Sequence, residues 1–200
     1  MSSPNLAHIY IRSWRYVTLV TLVGLVLAVC FSLLQPLKYS STVRLLITQT
    51  NVTGVDPYTA VKSTERIAQN LGQVILTTSF YNAVVADSSI DKTYFPSNEI
   101  KRRNLWQDTI ETQVSPGTGV MSVIAYHTSR EQATNIAIRV AQEIANQAPN
   151  YFGYAVRVQI IDDPLPSQFF AKPDFIRNGL FGAVLGFLAG SVWVLGRIKG

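Results

Sequence analysis

The sequence predicts an α+β domain carried between two transmembrane helices, and three observations predict it. Two uncharged apolar runs, 16–34 and 178–196, lie near the ends of the 200-residue chain. Between them, some segments alternate apolar and polar residues with the period of a strand, and others repeat at three and four residues as amphipathic helices do. Charge supplies the third observation. Residues 38–174 hold twelve Lys/Arg and twelve Asp/Glu, so the formal charge of +5 comes from Arg12, Arg15, Arg177, Arg197 and Lys199 beside the apolar runs. That is the positive-inside pattern of short membrane-flanking segments, not a basic face for phosphates, and nucleic acid is not an expected partner. Both ends of the chain (1–15 and 197–200) are expected in the cytoplasm, with 38–173 on the outer side of the membrane.

The first span is expected over 16–37. It follows Arg12-Ser13-Trp14-Arg15, a basic lead that a cleavable signal peptide shares. The apolar run is longer than a signal-peptide core, and Gln35-Pro36-Leu37-Lys38-Tyr39 stands where a small-residue cleavage site would be, so the expectation is an uncleaved span. Trp14, Tyr16 and Tyr39 near its ends, and Trp193 near the end of the second span, suit aromatic anchors at a membrane interface. The single cysteine, Cys30, lies inside this span. The domain beyond it must be held by its own core rather than by disulfides.

Residues 39–48 leave the span as a strand, with Tyr39, Ser41, Val43, Leu45 and Ile47 on one side. Residues 50–57 are turn chemistry and contain the sequon Asn51-Val52-Thr53. Val61, Thr64, Ala68, Leu71 and Ile75 then mark an amphipathic helix, which Gly72 is expected to weaken. Ser79 is read as the N-cap of a short helix with Phe80, Ala83 and Val84 inward. Pro96-Ser97 opens a polar helix carrying Trp106 and the triplet Lys101-Arg102-Arg103. Glu99, Asp108 and Glu111 are close enough in sequence to neutralise the triplet, and a solvated charged face is the expectation.

A hairpin follows: 109–114, the turn Ser115-Pro116-Gly117-Thr118-Gly119, and 120–126, with proline and glycine where a type II turn needs them. Thr128 or Ser129, with Glu131 or Gln132 three residues on, is a capping signature. The helix behind it has a continuous stripe of Ala133, Ile136, Ala137, Val140, Ala141, Ile144, Ala145 and Ala148, and is expected to stop at Pro149. A last strand is expected over 155–161, with Val156, Val158 and Ile160 inward. The first and last strands each adjoin a span and are expected to share one small mixed or antiparallel sheet at the membrane end, with the helices packed on it and extending outward.

The chain then enters a proline-rich exit, 163–173, whose Pro164, Pro166 and Pro173 are read as breaking the ladder between last strand and second span. That span is expected over 177–196; about 19 residues make roughly 28 Å of helix, enough for a bilayer core. Gly182, Gly186 and Gly190 stand four apart and share one helix side, the small-residue pattern by which membrane helices approach closely. Two partners are open for that side: the first span, through Gly24 and Ala28, or a neighbouring subunit.

Catalytic motifs are missing. There is no G-x-x-x-x-G-K-[ST], G-x-S-x-G or H-E-x-x-H. The histidines are His8 and His127, and Glu65, Glu99, Glu111 and Glu143 fall on amphipathic faces where solvent exposure is the ordinary state. No enzyme activity, cofactor or metal site is expected.

The layout resembles the Wzz-type polysaccharide co-polymerases, the chain-length determinant family of bacterial surface-polysaccharide export. Tyr39-Ser40-Ser41-Thr42-Val43-Arg44-Leu45-Leu46-Ile47 matches the family's first strand, Y-x-S/A-x-x-x-L-x-I. Ala133-Thr134-Asn135-Ile136-Ala137-Ile138 keeps the alanine and isoleucine steps of its A-x-x-I-A-N helix, with Ile138 in place of the asparagine and Ser129-Arg130 in place of a preceding Asp-Pro. Pro164, Pro166 and Pro173 lead into a glycine-rich span, as the family's proline-rich exit does, with looser spacing. The resemblance covers nearly the whole chain, which is similar in size to the two-span adaptors of capsule and exopolysaccharide systems. It implies a homo-oligomer in the lipid bilayer that sets polymer length beside a Wzy-type polymerase or the export machinery. Some such adaptors instead act on a separate cytoplasmic tyrosine kinase through a longer C-terminal tail than Gly196-Arg197-Ile198-Lys199-Gly200. A two-span ligand sensor is the reading from a different class.

Overall fold

The structure, a computed structural model of the chain, describes residues 6–50, 56–152 and 156–199. It divides into two compact units, one made of the chain up to Leu37 with the chain from Lys172 onward, the other of residues 38–171. The sequon at Asn51-Val52-Thr53 and the strand start at Ala155 lie outside the described residues.

The helical unit consists of α1 (Leu6–Leu33) and α6 (Phe175–Lys199). Their stretches Ser13–Leu33 and Phe175–Gly196 have mean hydropathy 2.4 and 1.8 and are long and apolar enough to cross a membrane. Only 11% and 28% of their most apolar windows is buried, whereas the core helix of a soluble domain is mostly covered. The first helix ends at Leu33, short of the expected 37, in a turn closed by Leu34 N–H to Phe31 O and Gln35 N–H to Ser32 O. Pro36 explains the stop, because it disfavours helical geometry at the residue before it. The second helix starts at Phe175, two residues before the expected 177. Asp174 Oδ1 accepts from the Arg177 amide at 2.9 Å, the bond of an N-cap.

The central unit is a four-stranded antiparallel sheet covered by helices. Its strands, β1 (Tyr39–Gln49), β2 (Ile110–Val114), β3 (Val120–His127) and β4 (Val156–Pro166), lie in the order β2-β3-β1-β4. First and last strands share one sheet, as expected, and are neighbours in it. Its main helices are α2 (Pro57–Ile75), α3 (Thr78–Val85), α4 (Glu99–Thr109) and α5 (Arg130–Phe152). Val43, Leu45, Ile47, Met121, Val123, Ala125, Val156 and Val158 form the buried sheet face. The α5 stripe (Ile136, Ala137, Val140, Ala141, Ile144, Ala148) joins them in one core, and Ala133 at its start is buried too. Alanine there brings the helix axis close to the sheet, and the larger side chains each contribute about 1.5–3 kcal/mol on burial. On the other sheet face Thr42, Leu46, Ser122 and Ile124 stay partly exposed and Arg44 is exposed.

Three local expectations are corrected. The cap of α3 is Thr77, not Ser79. Thr77 has extended backbone, accepts from Phe80 N–H at 3.3 Å, and places Ser79 inside the first turn. The stripe helix runs through Pro149 to Phe152. Pro149 lies about one turn before the helix ends, deprives the Ala145 carbonyl of its partner, and has a ring-fixed φ that fits the helix.

The third correction concerns the exit. Pro164 and Pro166 lie inside β4 rather than beyond it, with Ser41 opposite Pro166 and Thr42 opposite Leu165. Two register shifts between Thr42 and Leu45 absorb the extra residues as a bulge. β4 is an edge strand, the place in a sheet where a missing N–H donor is tolerated. Pairing goes on past it, from Ser167 N–H to Ser40 O at 2.7 Å and Ala171 N–H to Lys38 O at 2.8 Å. The prolines therefore protect an edge and leave the ladder intact. Pro173 alone lies beyond the sheet, buried just before α6.

Gly72 has a packing role that its propensity hides. A Cβ there would sit 2.8 Å from Thr112 Oγ1, so the glycine lets α2 ride close to β2. At the hairpin, Gly117 has φ +72°, the value a type II turn needs at its third residue, and Gly119 has φ +67°. A Cβ on Gly119 would also meet Ile47 O at 2.8 Å, where the Gly119 carbonyl accepts from Ile47 N–H at 2.9 Å. Gly119→Ala should therefore destabilise the unit by about 1–3 kcal/mol, whereas Gly117→Ala, strained only in φ, should cost roughly 1 kcal/mol. Urea titration of the two variants checks the order.

Candidate functional site

In the helical unit the structure brings Gly24, Ala28, Gly182, Gly186 and Gly190 into one antiparallel seam. A Cβ on Gly24 would lie 2.6 Å from Gly182 O and 3.0 Å from Gly186 Cα. One on Gly186 would lie 2.7 Å from Val20 O, and one on Gly190 3.2 Å from Val17 Cα. Gly182 faces Gly24 O and the Ala28 methyl. These are backbone-to-backbone approaches that only a hydrogen side chain permits. Of the two partners open from sequence, the glycine side of α6 meets the first helix of the same chain. The seam is closed at one end by Asn178 Nδ2 donating to Ser32 Oγ at 2.7 Å, and at the other by Tyr16 and Trp193, ring centroids 5.9 Å apart. Outside it, Leu19, Leu22, Leu27, Phe31, Phe181, Leu185 and Leu188 are exposed, an apolar surface suited to lipid.

Two members of the basic triplet, Arg102 and Arg103, are engaged by their own fold. Arg103 donates to Glu99 at 3.1 Å and to Thr78 Oγ1 at 2.8 Å, and the Arg102 guanidinium lies 5.5 Å over the Tyr81 ring. The recess between them has about 10 Å³, room for one water. Trp106 is buried and donates through Nε1 to Ile75 O at 2.8 Å.

Each candidate carboxylate also has a local partner. Glu65 pairs with Lys62 at 3.0 Å, Glu143 with Arg139 at 3.4 Å, and Glu111 accepts from Tyr126 Oη at 2.9 Å. Among the described residues no three His, Cys, Asp or Glu gather as a metal-ligand set. A groove of about 240 Å³, lined by Thr48, Val61, Thr64 and Thr118 among others, is smaller than the usual small-molecule pocket.

One cluster was hidden in the sequence. His127, at the end of β3, is buried against the Tyr94 ring, centroids 4.1 Å apart, and its Nδ1 accepts from Ser129 N–H at 2.9 Å. Burial lowers its pKa below the ordinary 6.5; Lys38 acts in the same direction, while the Ser129 bond and Asp91 oppose it. The folded state thus holds the neutral ring, while the unfolded chain takes up a proton near pH 6.5. Stability from this group is complete above pH 6.5 and falls as pH drops through the lowered folded pKa. The full-length protein should lose stability between pH 7 and 5, and His127→Asn should flatten that slope in unfolding midpoints measured across the range.

No protein-family model matches this chain, and no curated protein is similar to it at a significant level. Its function is therefore read from its own residues and geometry.

Proposed function

We propose that this chain is a non-enzymatic membrane protein that assembles with copies of itself and sets the chain length or export of a bacterial surface polysaccharide. Lipopolysaccharide O-antigen, capsule and exopolysaccharide are the polymer classes, and a Wzy-type polymerase or the export machinery is the partner. The observation that carries this reading is the pairing of the first strand with the last. Ser41 lies opposite Pro166, and Ala171 N–H reaches Lys38 O, so both connections leave the central unit from one end of the sheet. Each then runs into an apolar helix long enough to cross a bilayer. A domain tethered twice at one end is what the resemblance to the Wzz-type co-polymerases requires, and the Tyr39 strand and the alanine–isoleucine helix stand in the family's order.

In this reading α1 and α6 cross the plasma membrane, both termini are cytoplasmic and the central unit is outside. Its surface acts by contact with neighbouring copies and the polymerase, a role that needs no catalytic residue. Deleting the gene and resolving the surface polysaccharide on a gel tests it. A changed length distribution is expected, and an unchanged one would sink the idea. Mass measurement of the detergent-solubilised protein is the second arm. An assembly is expected, and a strict monomer overturns the determinant role.

A further inference from the structure

The large apolar side chains of the central unit are mostly buried, with one concentrated exception. Leu165, Phe169 and Phe170, at the end of β4 and just after it, are 76%, 81% and 46% exposed. Among the described residues the other exposed ones are Tyr58, Val61, Ile100 and Tyr151, scattered over three helices, and Ile161 in the middle of β4. A cluster of this kind on a soluble surface marks a contact site. It is also held in place. Phe170 packs on Tyr39 with ring centroids 4.6 Å apart, the Arg130 guanidinium sits 4.9 Å over the Tyr39 ring, and Arg130 donates to Gln168 O at 2.8 Å. The bond from Ala171 N–H to Lys38 O pins the segment to the start of β1.

Aromatic rings beside cations are the composition of a membrane–water interface, where the ring sits among headgroups and the charge meets phosphate. Chain length places the cluster there too. Phe169 precedes the start of α6 by six residues, which cannot stretch beyond about 20 Å. The opposite end of the sheet has a different character. The β2–β3 turn exposes Ser115, Pro116, Gly117 and Thr118, without a large apolar side chain.

We propose that Leu165, Phe169, Phe170 and Tyr39, with Arg130, form a docking rim that seats the central unit on the headgroup layer of the bilayer. This rests on the reading of α1 and α6 as membrane spans and adds a second membrane contact to it. The rim fixes the tilt of the unit on the bilayer, which two tethers alone would leave free.

Nitroxide labels on the full-length protein test it, in a Cys30→Ser background reconstituted into vesicles of phosphatidylcholine and phosphatidylglycerol. Labels at Phe169→Cys, Leu185→Cys and Thr118→Cys are compared by collision with oxygen, which partitions into lipid, and with a water-soluble nickel chelate. The expected result is an oxygen-to-nickel ratio at Phe169→Cys several-fold above that at Thr118→Cys and below that at Leu185→Cys. A ratio equal to the Thr118→Cys value, with Leu185→Cys in lipid, overturns the rim and leaves the spans standing. Protection of Phe169→Cys from both reagents also overturns it, by showing protein on the cluster, such as a second copy. An aqueous Leu185→Cys overturns the membrane reading itself, and the rim with it.

Discussion

Trp106→Ala is expected to cost the central unit roughly 3–5 kcal/mol, the range for truncating a large buried aromatic. Trp106 is 1% exposed and joins three successive upstream segments. Its ring meets Tyr81 of α3 and Phe95 of the following loop edge-on, with centroids 5.2 and 5.9 Å away. Its indole N–H reaches the carbonyl of Ile75, the last residue of α2. A helix leaves its final carbonyls without intrahelical partners, so this bond serves as a cap supplied from another helix. Two losses are thus separable. Trp106→Phe keeps most of the aromatic packing and removes the donor, and should cost about 1–3 kcal/mol for the buried carbonyl left behind. Urea unfolding of both variants, followed by far-ultraviolet circular dichroism, gives the comparison. If Trp106→Phe is as damaging as Trp106→Ala, the hydrogen bond outweighs the ring, and aromatic packing is not what makes this residue the joint of the three segments.

That residue also shows what the sequence could and could not reveal. The α4 segment is mostly polar, and one tryptophan among charges carries no periodic signal. Its burial is decided by α2 and α3, some thirty residues upstream, and pattern reading is local. By contrast, the Ala133–Ile136–Ala137–Val140 stripe was legible because a 3.6-residue period sustained over several turns has no competing explanation. The first strand was legible for the same reason at period two. The exit from β4 was not. Whether a proline ends a strand depends on which side of that strand has a neighbour, and among the described residues β4 has one only on its β1 side. The cap of α3 was misplaced by two residues because Thr77, Thr78 and Ser79 all carry a capping hydroxyl. Backbone conformation, not residue type, selects among them. The glycine spacing of α6 was plain in the sequence, but which helix it faces is a tertiary fact.

That tertiary fact makes Gly186→Leu the most informative substitution in the helical unit. A side chain at 186 must enter space held by Val20 O and Thr21 Cα, at 2.7 and 2.9 Å from the first carbon alone. Backbone cannot turn aside as a rotamer can, so the helices must separate along the whole seam. Overpacking by extra methylenes costs about 1–3 kcal/mol in an ordinary core, and the upper end is expected where both walls are backbone. Gly179→Ala is the control, because its added carbon would meet only Val29 Cγ2 at an ordinary 3.6 Å. Spin labels at Tyr16→Cys and Trp193→Cys, in the Cys30→Ser background, report the pairing directly. These side chains pack with centroids 5.9 Å apart, close enough for strong dipolar broadening. Gly186→Leu should abolish the broadening and lower the thermal midpoint in detergent, while Gly179→Ala leaves both unchanged. Broadening that survives Gly186→Leu would show that the seam is not what pairs the helices. If assembly mass falls while broadening persists, the glycine side serves a neighbouring copy instead. Either outcome separates how the hairpin holds itself from how copies would hold one another, the distinction on which the proposed assembly depends.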